Sequence, residues 1–226
     1  MKLDARLFGI VPYREALDYQ RFLCEERRAD RIGDTLLLLE HPPVITLGTR
    51  GDRSDILVDE ASLRAAGGDI VEIERGGQVT YHGPGQLVGY LIVNLYEHQR
   101  KVKLFVSNIE RSIIEWLAER HHIEARVDPT NVGVWVGDEK IAAVGISIKG
   151  GVTMHGFALN LNTDLSHFSW IVPCGIVDKG ITSVAALRGV AVDMAEAKTS
   201  MAATVARVFG YESYSFAEYA GLPVLG

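Results

Sequence analysis

The chain is poor in cysteine: of its 226 residues only Cys24 and Cys174 carry a thiol. Two cysteines so far apart make no disulfide framework, and nothing points to an oxidising compartment. Positive charge is the minority sign, with 23 Lys and Arg against 29 Asp and Glu and a formal net charge of −6. That balance speaks against general nucleic-acid binding, which depends on basic surfaces, while leaving room for a local basic patch facing an acidic partner. Long hydrophobic runs are missing: the apolar stretches reach about ten residues, too short to span a bilayer. The start Met1-Lys2-Leu3-Asp4-Ala5-Arg6 has no apolar signal core. These absences lead to the expectation of a cytoplasmic protein with neither membrane nor nucleic acid as partner. Chemical motifs are missing too. No Gly-Lys-Ser/Thr closes a phosphate loop, no Gly-x-Gly-x-x-Gly opens a helix, no Gly-x-Ser-x-Gly presents a serine, and no Cys/His cluster would ligate zinc.

What is present is apolar content, 47% of residues, enough for one compact core. We expect a single domain over residues 1–226. Ala16, Tyr19, Phe22 and Leu23 recur at helical spacing and predict a helix over residues 12–32, with Cys24 in it as a packing thiol. Residues 35–40 read as a buried strand, broken by His41-Pro42-Pro43, and 44–48 as a second one. A short helix over 60–66 ends at Gly67-Gly68, and a strand follows over 70–74. The run 87–95 predicts a central strand. Residues 102–120 predict an amphipathic helix with Ile109, Ile113, Trp116 and Leu117 on one face. Strands over 132–136, 140–149 and 152–161 form a meander with turns at 137–139 and Gly150-Gly151. A loop or short helical turn fills 162–169, and a helix runs over 194–209. Strands and helices mix without strict alternation, which favours an α+β fold over a doubly wound sheet.

Three features carry chemistry. Cys174 sits in Ile171-Val172-Pro173-Cys174-Gly175-Ile176, between a proline and a glycine. Such a turn would hold a sulfur at a fixed angle with backbone N–H groups nearby, as a nucleophile requires; a buried structural thiol is the plainer alternative. The stretch Arg75-Gly76-Gly77-Gln78-Val79-Thr80-Tyr81-His82-Gly83-Pro84-Gly85-Gln86 has five glycines or prolines in twelve residues, interleaved with donors and acceptors. It reads as a binding loop that lets backbone approach a ligand closely. Lys140 opens an otherwise apolar strand, Ile141-Ala142-Ala143-Val144-Gly145-Ile146. Alone it would be a solvated hairpin residue. Beside a thiol, a lysine ammonium favours the thiolate, and a desolvated lysine can act as a base. A Cys/His arrangement stays open as well, with His82 and His155, each near a glycine, as candidate bases.

Taken together, the segment 75–87, Lys140-Ile141-Ala142-Ala143-Val144-Gly145, His155-Gly156-Phe157-Ala158-Leu159-Asn160 and Pro173-Cys174-Gly175 resemble the lipoyl(octanoyl) transferase family, also called lipoate–protein ligase B, in family order. The resemblance covers about residues 36–187. It implies a mixed β-sheet with flanking helices and a smaller sheet, similar to the catalytic domains of biotin and lipoate ligases. It implies transfer of an octanoyl group from octanoyl-acyl carrier protein to a lysine of lipoyl domains, in 2-oxoacid dehydrogenase subunits or the glycine cleavage H protein. Carried over, Cys174 is the acyl-thioester nucleophile and Lys140 lowers its pKa. Arg75, Gly76, Gly77, Gln78, Val79, Thr80, Tyr81 and His82, with Ala143, Val144, Gly145, Gly156, Phe157 and Ala158, match acyl-substrate-binding stretches. The implied chemistry needs no cofactor, neither ATP nor metal, and the expected state is a monomer. Many members carry a basic residue where this chain has Ser147, so a charge-pairing role for that strand is not carried over. The alternatives are an ATP-dependent lipoate or biotin ligase on the same fold, or an inactive acyl-carrier-binding module.

Overall fold

The computed structural model describes residues 1–98, 101–172 and 179–223. The centre of the fold is β2 (Asp34–Glu40), whose four consecutive leucines alternate between two cores. Leu36 and Leu38 face one apolar cluster, Leu37 and Leu39 the other. This is the period-two geometry of a strand covered on both sides, and burying each leucine stabilises by roughly 1.5–3 kcal/mol.

Around β2 a mixed sheet is built from β12 (Ser213–Tyr219), β1 (Lys2–Ile10), β2, β6 (Gln86–Ile92), β10 (Val152–Asn160), β9 (Glu139–Lys149), β8 (Val134–Val136) and β7 (Arg126–Val127), in that order. The short strand β11 (Gly180–Ile181) runs parallel to the start of β9. β1 is parallel to both of its neighbours; from β2 to β7 the pairing is antiparallel. One face is covered by α1 (Tyr13–Arg28), which buries Tyr13, Ala16, Leu17, Gln20 and Cys24. The other face packs against α3 (Val102–His121) and α5 (Met194–Phe209) through Ile109, Ile113, Trp116, Met201 and Val205. Trp116 Nε1 donates to Ser200 Oγ at 2.8 Å between these two helices. A smaller sheet is made of β4 (Asp69–Glu72), β3 (Val44–Leu47) and β5 (Val79–His82), in that order. Short helices α2 (Glu60–Ala65) and α4 (Val184–Arg188) and two 3₁₀ turns, Arg53–Asp55 and Leu165–Trp170, complete the regular elements among the described residues.

The expected α+β architecture, a large mixed sheet with helices and a smaller sheet, is what the structure shows. The sequence reading assigned nothing before residue 12 and nothing after 209, where β1 and β12 stand. β1 does alternate, with Leu3, Ala5 and Leu7 inward, but its pattern is interrupted by the charges of Asp4 and Arg6. Phe22, placed on the apolar face of α1 by its spacing, is instead 41% exposed. The stretch read wholly as a loop contains β5, because Val79 and Tyr81 point into the small-sheet core. At the far end of β2, buried Asp34 accepts from Arg27 Nε (2.9 Å), His98 Nε2 (2.7 Å), Tyr211 Oη (2.8 Å) and the Asn94 amide (3.1 Å). Those partners hold its pKa below the usual carboxylate range against the opposing effect of burial. Among the described residues, no helix is long and apolar enough to cross a membrane.

Candidate active site

The glycine-rich stretch bridges the two sheets. Gly48, just beyond β3, donates to Gln78 O at 2.9 Å, Thr49 to Arg75 O at 3.0 Å and Arg50 to Gly77 O at 3.0 Å. On its other side Gly76 donates to Ile146 O of β9 at 3.2 Å. Gly77 takes φ +106°, a conformation that a residue with a Cβ rarely adopts. Arg75 turns back on the loop, donating to Gly76 O at 2.9 Å and Gln78 O at 3.0 Å.

Between this loop, β9, β10 and α1 lies a cavity of about 590 Å³, well within the range of small-molecule sites. Arg75, Gly76, Gly77, Gln78, Val79, Thr80 and His82 line it. So do Lys140, Ala143, Val144 and Gly145 from β9, and Gly156, Phe157 and Ala158 from β10. Three separated sequence segments therefore converge on one space. Tyr81 does not line it: the side chain is buried in the small-sheet cluster, and its hydroxyl meets His167 Nδ1 at 2.7 Å. Strand alternation sends Tyr81 and His82 to opposite faces of β5. Lys140 is half-buried, with its ammonium 4.9 Å from the centroid of the buried Trp135 ring, a distance that suits a cation–π contact. Cys174 lies outside the described residues. Ile171 before it and Ile181 after it both line the cavity.

Sequence reasoning missed the polar floor. His82 Nδ1 meets Gln86 Oε1 at 2.7 Å, and Gln86 Nε2 donates to Asn160 Oδ1 at 2.9 Å. His41 Nδ1 donates to Val11 O at 2.7 Å, and its Nε2 accepts from the Tyr90 hydroxyl at 2.6 Å. Gly85 donates to Glu40 Oε2 at 2.9 Å, and Glu40 Oε1 is bound by Lys198 at 3.0 Å, which ties the loop to α5. Gln86 and Asn160 lie inside the motifs already quoted, yet periodicity alone reads them as strand ends. His155 is buried at φ +61°, neither of its ring nitrogens has a hydrogen-bond partner among the described residues, and its backbone N–H donates to Gln20 Oε1 at 2.9 Å.

All three histidines are held neutral. Burial pushes His82 down to about 3, helped by His41, and pushes His41 and His155 down to about 4, the latter helped by Arg75. Neither His82 nor His155 is thus basic enough to serve as a strong proton acceptor near neutral pH, which weakens the Cys/His reading left open by spacing. Below pH 6.5 the unfolded chain binds protons that the folded one refuses. Stability should therefore fall as pH drops from about 6.5 towards 4, by about 2 kcal/mol per histidine at pH 5. Urea unfolding at pH 7.5 and pH 5 checks this. His155→Asn, which tolerates the positive φ, should flatten the slope by one proton, and an unchanged slope would count against a neutral His155.

The sequence and the fold have recognisable relatives. The model of the lipoyl protein ligase A/B catalytic domain matches residues 12–206. An octanoyltransferase of Alkaliphilus metalliredigens is 48% identical over 212 residues, covering 94% of this chain and 97% of its own. Among solved structures, a bipartite lipoate protein ligase from Thermoplasma acidophilum superposes with a TM-score of 0.63 at 16% identity, covering 98% of this chain and 88% of that one. A biotin protein ligase from Aquifex aeolicus, in complex with biotin and ATP, does so at 0.58 and 14%, covering 93% and 71%. The chain belongs to the lipoyl protein ligase A/B catalytic domain family, and within it, with its octanoyltransferase relatives, it is an acyltransferase.

Proposed function

We propose that the chain, acting as one catalytic domain, moves an octanoyl group from octanoyl-acyl carrier protein to a lysine of a lipoyl domain through a thioester on Cys174. The observation that carries this reading is Lys140. It stands on the wall of the same cavity as the glycine-rich loop and the apolar side chains of Ala143, Val144, Phe157 and Ala158. Such a slot suits a medium acyl chain, since each buried CH₂ contributes about 0.8 kcal/mol.

In this mechanism the Cys174 thiolate attacks the donor thioester. Backbone N–H groups around Gly77 bear on the oxyanion, each worth about 3 kcal/mol in the transition state. The carrier sulfur leaves as a thiol by taking a proton from the Lys140 ammonium, and the acceptor amine then attacks the acyl-enzyme and loses its proton to the neutral Lys140 so formed. Thioester-to-amide transfer runs downhill, so the reaction draws on neither nucleotide nor metal. The partners on this reading are the two carrier domains, and the working unit is a monomer.

One assay decides between this and an ATP-dependent ligase, which the biotin- and ATP-bound fold relative makes the natural rival. Octanoyl transfer to a lipoyl domain is measured from octanoyl-acyl carrier protein without nucleotide, and from free octanoate with ATP. Transfer only in the second arm would overturn the proposal, and transfer in neither would favour an inactive carrier-binding module. Lys140→Ala should slow transfer about 10²- to 10⁴-fold with the fold intact. Alkylation of Cys174 near neutral pH should also slow, because the thiol loses its cation. An identical thiol titration in the variant would show that Lys140 is not the partner of Cys174.

A further inference from the structure

The hydrogen-bond chain under the cavity has a direction, and the direction decides where His82 carries its proton. It starts at the Thr182 carbonyl, which can only accept. Asn160 Nδ2 donates to it at 3.1 Å, so Asn160 turns its oxygen towards Gln86. Gln86 must then donate through Nε2, at 2.9 Å, and the same nitrogen reaches the Tyr81 carbonyl at 3.4 Å. That leaves Gln86 Oε1, a pure acceptor, facing His82 Nδ1 at 2.7 Å. Nδ1 therefore bears the hydrogen.

The ring cannot carry a second proton at low cost. It stacks on Tyr13 at 5.9 Å and 14° and meets His41 edge-on at 5.9 Å. Burial disfavours its charged form, and His41, Arg75 and His155 add to that, against a smaller opposing effect of Gln86. In a neutral ring with Nδ1–H, Nε2 is a bare lone pair, on a side chain that lines the cavity. The same chain reaches the lysine strand, since Thr182 donates its own N–H to Lys140 O at 3.0 Å. His82 is thereby held in register with the start of β9.

A fixed lone pair repels an oxyanion and cannot take up a proton near pH 7, so His82 belongs to neither the oxyanion site nor the base. What it can do is receive an N–H. Resting on the acyl-transfer reading above, we propose that His82 Nε2 accepts a hydrogen bond from the attacking lysine amine and aims the amine's lone pair at the acyl carbon of the Cys174 thioester. The C–N bond forms and the C–S bond breaks, with the electron pair going to sulfur. One of the two amine protons passes to Lys140 and on to the thiolate, and the other stays in the amide, still on His82. An acyl-cysteine and an amine become an amide and a cysteine thiol. The hydrogen bond from the amine to His82 acts in the second half of the reaction, where the amine is present.

Two measurements test this on the full chain. Long-range ¹⁵N–¹H NMR of histidine-labelled protein, with His82 assigned by its loss in His82→Phe, should show Nδ1–H and a bare Nε2 from pH 8 to pH 5. Rapid mixing with octanoyl-acyl carrier protein, then with a lipoyl domain, separates the half-reactions. His82→Phe should slow discharge to the amine about 10- to 100-fold more than it slows the release of carrier thiol. Gln86→Leu keeps the ring but frees its tautomer. It should show an Nε2–H population together with slowed discharge, and it serves where His82→Phe fails to fold. An Nε2–H or charged ring in a wild-type chain that forms acyl-enzyme overturns this inference alone, as does equal slowing, or no slowing, of both half-reactions. A wild-type chain that forms no acyl-enzyme overturns the acyl-transfer reading, and the amine role with it, even if the tautomer is as stated.

Discussion

A Cys174→Ala chain is expected to lose octanoyl transfer by a factor on the order of 10⁴ or more, the largest loss of activity that any one substitution here should produce. Without the thiol no covalent intermediate can form, and ping-pong transfer stops at its first step. Intact-mass measurement of the unaltered chain with octanoyl-acyl carrier protein, and no acceptor, should show one added acyl group. Hydroxylamine and a lipoyl domain should each remove it. Cys174→Ser should fail as well, because a serine hydroxyl is hardly ionised near pH 7 and the buried histidines are too weakly basic to activate it. Cys24 supplies the internal control. It is buried on α1, its Sγ donates to Thr153 O at 3.5 Å, and burial pushes its thiol up to about 11. Alkylation at pH 8 should pass it by. Full activity in Cys174→Ala, or an adduct on Cys24, would sink the thioester route.

The largest loss of stability is expected from Gly156→Val. In the antiparallel pairing of β10 and β6, Gly156 stands opposite Tyr90 and Phe157 opposite Gly89. A Cβ on Gly156 would come within 2.2 Å of the Gly89 carbonyl oxygen and 3.0 Å of Leu91 Cδ1. The first of these is backbone, held in the ladder, and cannot swing aside as a side chain would. Gly89 is bound the same way, because its own Cβ would strike the Phe157 ring at 2.2 Å. The two glycines let Phe157 lie across the neighbouring strand, where it forms part of both the core and the cavity wall. We expect a loss of about 3–5 kcal/mol, from the class of substitutions that overpack a core against fixed backbone. The urea midpoint of Gly156→Val reads it, with Gly9→Ala, which meets nothing within 4 Å, as the reference. Equal midpoints would mean that the β10 ladder yields more easily than the geometry implies.

Where one chain segment carries its own signal, the sequence predicted the structure well. The α1, α3 and α5 helices and the β8–β9–β10 meander follow from apolar spacing and turn glycines, and residues 75–82, Lys140, residues 143–145 and residues 156–158 meet around one cavity except at Tyr81. The rest needed information that a single segment does not hold. β12 is largely exposed and owes its place to pairing with β1, a partner some two hundred residues away in sequence. Tyr81 and His82 are adjacent in a motif yet serve different cores, because the segment is a strand and a strand alternates. Asn160 and Gln86 matter through a directed chain that ends on a backbone carbonyl. No pattern of residue types gives that direction.

The pairing of β1 with β12 also has a consequence for synthesis. Lys2 aligns with Ser213 and Phe8 with Tyr219, while β1's other neighbour, β2, aligns through Leu3 and Asp34. On the ribosome, β1 and β2 emerge well before β12 and can pair first, but one edge of β1 then stays open until β12, some two hundred residues later, has been made. At about 5–20 residues per second, that edge waits on the order of ten seconds or more. During this interval an unpaired strand rim is offered to other nascent chains on the same message. The alternation of Asp4 and Arg6 with buried Leu3, Ala5 and Leu7 puts charge on that waiting rim, and inward- or outward-pointing charge is a known deterrent to edge-to-edge association.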